Sequence, residues 1–191
     1  MPAIHPVVLV AHPSTPCAAV RALEVRIEIR EVDLLVLDYA LQGDIPRLRI
    51  PPERTAQRVD ELWKHTCFEA FLRTDDSPGY YELNFSPSGE WSAYRFSAYR
   101  HGLAPADGVG VPTTSVLASD TALRFEASIP VAAIRECMSP QSEVPLRIAL
   151  AAVIESHDGK LSYWAQHHAA AKPDFHHPDA FVLEIPHEVR N

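Results

Sequence analysis

Residues 62–100 read LWKHTCFEAFLRTDDSPGYYELNFSPSGEWSAYRFSAYR, and their alternation decides the fold. Three apolar-rich runs, 67–73, 79–86 and 90–97, are separated by TDDSP (74–78) and by Pro87-Ser88-Gly89, both strong turn chemistry. In the first run Phe68, Ala70 and Leu72 alternate with Cys67, Glu69, Phe71 and Arg73. In the second, Tyr81, Leu83 and Phe85 oppose Tyr80, Glu82, Asn84 and Ser86. A period of two marks pleated strands, whose successive side chains leave opposite faces. Glu82, Asn84 and Ser86 therefore share a face, and Glu69 joins them if the two strands pair. Polar groups set among aromatic rings in this way suit a sheet face that grips a polar, ring-shaped ligand.

The pattern extends in both directions. Residues 6–11 form a short apolar run between prolines and read as a first strand. In 20–30, Leu23, Val25, Ile27 and Ile29 alternate with charged residues, the mark of a half-buried antiparallel strand. Residues 34–41 make its partner, with Leu35, Leu37, Tyr39 and Leu41 on one side, and the link Val32-Asp33 hints at a hairpin. Residues 43–61 read as a long connection with a helical turn at 53–62, and the Gly/Pro/Ala-rich stretch 102–119 reads as a loop. Strands are expected at 122–129, 145–154, 161–166 and 180–185. A short helix is expected at 130–138, with Pro130 at its permitted first position. Residues 167–179 read as an irregular, His-rich loop. Nine or ten short strands with regular turn signals predict an all-β protein, an antiparallel β-sandwich with one short helix, as a single domain over 1–191.

Composition sets the function classes. With 191 residues, one substantial core is within reach, since about 70% of the extended surface can be buried at this size. The hydrophobic fraction of 47% and charged fraction of 22% are those of a soluble globular chain. The net charge of −8 opposes a general nucleic-acid binder, which needs a basic surface to neutralise phosphates. Seventeen prolines against seven glycines favour strands and turns over long helices. Cys17, Cys67 and Cys137 are odd in number and widely spaced, which predicts free, mostly buried thiols and no disulfide framework. The first twenty residues lack a basic segment, and VVLVA is too short for a signal peptide or a membrane span, so a cytoplasmic protein with no membrane partner is expected.

Three blocks, LWKHTCFEAFL (62–72), YYELNFSPSGEWSAYRFSAYR (80–100) and LSYWAQHHAAAKPDFHHPDAFVLEI (161–185), resemble the DOMON-like superfamily, and more closely its bacterial murB-like branch. That superfamily includes family 9 carbohydrate-binding modules. The resemblance covers most of the chain and implies a sandwich of jelly-roll type with a pocket for sugar or haem. Trp63, Glu69, Gly89 and Trp91 meet the pattern of an aromatic residue, a strand Glu and a G-x-W continuation. Lys64 and His65 stand where the carbohydrate-binding relatives often carry acidic residues and a metal, which opposes a calcium site. Haem-binding relatives use Met and His ligands; here Met1 and Met138 are the only methionines, and Met138 falls in the expected helix, which opposes haem.

Several constellations could carry function. Trp63, Trp91, Tyr94 and Trp164 would make a stacking platform for a sugar, or would equally fill a core. Trp164 follows Tyr163, so one ring of that pair must turn away from the other. Glu69, Glu82 and Asn84, with Tyr81 nearby, would accept hydrogen bonds from ligand hydroxyls, with Lys64 or Arg100 as counter-charge. The loop 167–178 offers His167, Lys172, Asp174 and His176 as a polar rim. His167, Asp174 and His176 are also candidates to hold a divalent metal, although their spacing matches no zinc signature. No nucleophile elbow, P-loop, dinucleotide fingerprint or zincin motif occurs. The residues thus point to a non-catalytic module for a small-molecule ligand, a carbohydrate or cell-wall-derived sugar first. A protein-interaction domain and a metal-dependent enzyme built on the loop 167–177 are the alternatives.

Overall fold

Alternation in the N-terminal third becomes a long antiparallel hairpin in the computed structural model, which describes residues 6–30, 33–138 and 144–185. Strand β1 (Val7–Ala11) precedes β2 (Val20–Arg30) and β3 (Leu34–Gly43). The last two pair from Ala22↔Gln42 to Arg30↔Leu34. Asp33 takes the left-handed conformation at φ 64°, which Asp tolerates in turns; Val32 lies outside the described residues. Leu35, Leu37, Tyr39 and Leu41 are all buried, as their spacing predicts.

The segment 62–100 supplies β4 (Cys67–Arg73), β5 (Tyr80–Phe85) and β6 (Trp91–Phe96), a meander of adjacent antiparallel strands. Gly89 closes the second turn at φ 90°, where a side chain would be strained, and its N–H donates to the Ser86 carbonyl. Then follow β7 (Ala104–Pro105), β8 (Thr113–Ala118), β9 (Ala122–Pro130), α1 (Ala132–Met138), β10 (Leu146–Glu155), β11 (Leu161–Ala165) and β12 (Leu183–Ile185). The order in the sheet is β7-β6-β5-β4-β10-β11-β1-β2-β3-β9-β8, with β12 also on β10. β1 joins the two halves: Val7–Leu9 pair with β2, and Val10 and Ala11 pair with β11.

The halves face each other across one apolar core, giving a sandwich-like all-β fold. Leu23, Val25, Tyr39 and Phe125 from one side meet Phe68, Leu83, Ile148 and Leu150 from the other. Phe68 and Phe125 stack at 4.7 Å between centroids, and Tyr39 lies 4.7 Å from Phe68. The Tyr39 hydroxyl crosses the core to donate to the Glu69 carbonyl at 2.8 Å, which meets the hydrogen-bond need of a buried phenol. Because β4 and β5 alternate, burying Phe68, Ala70 and Leu83 inward turns Glu69, Phe71, Glu82 and Asn84 to the opposite face of the same sheet.

Several local expectations need correction. Residues 113–118, read as loop, form β8 on β9. This edge strand leaves Leu117 largely exposed and lacks a clean apolar face, so its periodicity is weak. The helical turn expected at 53–62 is instead an extended segment that bridges β6 through Arg58, followed by a 3-10 turn at Leu62–Lys64. Pro130 ends β9 and does not start α1. The three cysteines are free, but only Cys67 is fully buried, and Cys137 is exposed. Among the described residues no helix is long and apolar enough to cross a membrane.

Candidate functional site

The outward face of β4, β5, β6, β10 and β11 is covered by the segment that follows β11. Two sequence features allow this. Ala149, Ala151 and Ala165 are small where larger residues would fill the surface, and Phe175, Ala180 and Phe181 descend onto them, against Phe71 and Tyr80. The segment is also tied by polar contacts. Gln166 Oε1 accepts from Leu150 N–H at 3.1 Å, and the His168 ring donates to the Val10 carbonyl at 2.9 Å. Asp174 accepts from Arg100 at 2.7 Å, from the His176 N–H at 3.1 Å and from the Tyr99 hydroxyl.

Between this segment and the sheet lies a cavity of about 370 Å³. One wall is aromatic: Trp63 meets Tyr94 edge-on at 5.9 Å, with Phe96 beside them. Tyr163 and Phe175, 6.0 Å apart, make the other. The base is two carboxyls. Glu69 pairs across the ladder with Asn84, and Phe71 with Glu82, so the two glutamates are diagonal neighbours on one face.

Their surroundings differ. Asn84 is fully buried and donates to Glu82 Oε1 at 2.7 Å. Glu69 is 3% exposed, and its Oε1 has no hydrogen-bond partner. Burial, and then the neighbouring Glu82, push the Glu69 carboxyl well above the ordinary glutamate value. Burial raises Glu82 as well, against the opposing pull of Asn84 and of Arg100. Both carboxyls are thus shifted toward their neutral form, the direction that lowers the cost of burying them.

His176 completes the lining. Its Nδ1 lies 2.8 Å from the Tyr80 hydroxyl, and that hydroxyl accepts from the Arg100 N–H at 3.2 Å. With that N–H as donor, Tyr80 spends its own proton on Nδ1, which places the ring proton on Nε2. Nε2 faces Glu82 Oε2 at 3.8 Å, a gap too long for a direct hydrogen bond. Burial, then the Arg100 charge, lower His176 to about 4, so the imidazole is neutral and this contact is not an ion pair at neutral pH. Burial also raises the Tyr80 and Tyr94 hydroxyls to about 12; Tyr94 donates to Asp60 at 2.6 Å.

The structure sorts the residues proposed from sequence into three groups. Trp63, Glu69, Glu82, Tyr94, Arg100 and His176 line the cavity, with Asn84 and Asp174 directly behind them holding Glu82 and Arg100. Trp91, Trp164 and Tyr81 do not join them. The two tryptophans lie in the core between the sheets, and Tyr81 packs against that core and lines a separate depression beside Cys137. Lys64, His167 and Lys172 are exposed; Lys64 pairs with Glu61 at 2.6 Å. Tyr80, Phe96, Tyr163 and Phe175 belong to the cavity region without having been singled out as ligand contacts. Alternation alone places Tyr80 beside Glu82, and Phe96 beside Tyr94.

The metal reading of the loop finds no support in the geometry. Among the described residues no group of three or more His, Cys, Asp or Glu side chains is placed to hold an ion. The loop histidines serve separate partners: His168 the Val10 carbonyl, His177 the Asp179 N–H, and His176 Tyr80. Of the two methionines, Met1 lies outside the described residues and Met138 ends α1, packed against the core between the sheets. Cys67 shares the face of Glu69, but burial pushes its thiol well up, away from a reactive thiolate.

No protein-family model matches the chain, and no curated protein matches it. Among solved structures, the fold is similar to a 2.70 Å crystal structure of a protein from Bacteroides uniformis that is provisionally assigned as carbohydrate-binding. The TM-score is 0.60 at 17% identity, over 92% of this chain and 82% of that one. At this identity the likeness establishes the fold alone.

Proposed function

We propose that the cavity binds a small polar ligand without chemical conversion, a carbohydrate or cell-wall-derived sugar first. The observation that carries this reading is the unpartnered Glu69 Oε1 at the base of a cavity walled by aromatic rings. A buried acceptor with no partner is costly, and a ligand hydroxyl would satisfy it. The rings of Trp63, Tyr94 and Tyr163 would cover the C–H faces of a pyranose, while Glu82, Arg100 and the His176 Nε2–H address its edges. The resemblance of the sequence to the DOMON-like superfamily, with its family 9 carbohydrate-binding modules, supports this reading, as does the provisional assignment of the Bacteroides uniformis protein.

Isothermal titration against a panel of neutral, amino and acidic sugars and muropeptide fragments tests the reading. Saturable heat with at least one sugar is expected. No heat with any of them, from protein whose circular dichroism shows a folded β structure, would reject it.

A further inference from the structure

The cavity has an asymmetric charge inventory. Its lining holds two carboxyls, Glu69 and Glu82, and one cation, Arg100. That cation is already engaged: Asp174 takes its guanidinium at 2.7 Å. Hydrogen bonds from Tyr99 and Arg100 hold the Asp174 carboxyl below its ordinary value despite partial burial, so the Arg100–Asp174 pair contributes no net charge. His176 is neutral, Lys64 is committed to Glu61, and Lys172 is exposed outside the lining. Asp60, behind Tyr94, adds a further carboxylate on the aromatic side. The balance in and around the cavity is negative, in a chain whose net charge is −8.

Two further observations sharpen this. Glu69 Oε1 lacks any donor although the residue is 97% buried, so the site is short of N–H or O–H groups at its base. Trp63, Tyr94, Tyr163 and Phe175 line the same cavity. Aromatic rings around a pair of desolvated carboxyls attract an ammonium group twice over, through ring quadrupoles and through charge. A carboxylate or phosphate on the ligand would meet Glu69 and Glu82 with no free cation to offset them.

We propose that the ligand carries a protonated primary amine seated between Glu69 and Glu82, which makes it an amino sugar and excludes an acidic one. This rests on the sugar-binding reading above and narrows it. An ammonium offers three N–H donors, enough to satisfy Glu69 Oε1 and the free side of Glu82 together. With the ammonium seated, the buried site holds opposite charges in contact, and Glu69 Oε1 gains the donor it lacks. Acidic sugars without an amine, such as glucuronate, are disfavoured by the same argument.

Titration calorimetry with glucose, glucosamine, N-acetylglucosamine, glucuronate and ethanolamine tests this at pH 6.5, where the amines are protonated. Glucosamine is expected to bind about tenfold or more tighter than glucose, and glucuronate not at all. In Glu69→Gln and, separately, Glu82→Gln, the ratio of glucosamine to glucose affinity is expected to shrink to about twofold or less. Two substitutions are used so that a folding defect in one leaves the other informative. Neutral sugars binding as well as glucosamine, or a glucosamine preference intact in both variants, would overturn the amine assignment and leave sugar binding standing. Ethanolamine binding with no sugar bound would uphold the amine and sink the sugar. Silence from all five probes would overturn both.

Discussion

The Tyr80 hydroxyl lies 2.8 Å from Nδ1 of His176, across a sequence separation of 96 residues, and fixes the covering segment to the sheet above the two glutamates. The Tyr80 ring itself stacks on Phe96 at 4.6 Å and 7°. Packing and tether are thus separable in this residue.

Tyr80→Phe keeps the stack and deletes the tether. It is expected to cost about 1 kcal/mol in urea unfolding, the usual net value of one hydrogen bond. It should also weaken ligand binding, because the His176 ring loses the donor that fixes its tautomer. Unchanged stability together with unchanged affinity would show that the hydroxyl holds nothing.

The tryptophans should divide by role. Trp63 is 36% exposed at the cavity, whereas Trp91 is 6% exposed in the core, with the Arg58 guanidinium 5.3 Å from its ring. Trp63→Ala is expected to cost less than about 1 kcal/mol of stability and to lower sugar affinity about tenfold or more. Trp91→Phe is expected to reverse that, with a loss of about 1 to 3 kcal/mol in unfolding and affinity nearly unchanged. Equal effects on affinity from both would place the ligand elsewhere.

Stability should respond to pH through two opposing groups. Burial and Glu82 raise Glu69 in the fold, so the native state retains a proton that the unfolded chain gives up near the ordinary value of about 4.3. The stability from this group is full below that value and is lost as pH rises through the folded pKa. His176 is lowered to about 4 by burial, so its contribution is full above the unfolded value of about 6.5 and is lost as pH falls toward 4. Glu69→Gln removes the first effect only. Urea midpoints of parent and variant should differ little at pH 4, with the variant gaining on the parent as pH rises to 7.5. Parallel midpoints across that range would mean that Glu69 is not desolvated.

Much of the architecture was readable because one face of each long strand is dry. Leu23 to Ile29, Leu35 to Leu41 and Phe68 to Leu72 each announce a register, since a one-residue slip would expose the whole set. The same logic put Glu69, Glu82 and Asn84 on a common surface. It failed where both faces of a strand are apolar or aromatic. At Tyr163-Trp164 no polar neighbour says which ring faces the cavity, and the core took the tryptophan; at Tyr80-Tyr81 the alternation with Glu82 and Asn84 already marked Tyr80 as the cavity-side ring, and the choice of Tyr81 as a ligand contact went against it. It failed also at β8, whose exposed edge needs no apolar side. The covering segment was invisible as structure because its order comes from distant partners, Tyr80, Tyr99, Arg100 and Val10, and not from its own periodicity.

β1 serves two neighbours with five residues: its first half ladders onto β2 and its second onto β11. It acts as a weld along the seam between the halves. Cutting the chain after Ala11 would bare two sheet margins at once, each a template for a foreign strand. Such a shortened molecule should cluster with its own kind at concentrations where the full polypeptide stays dispersed.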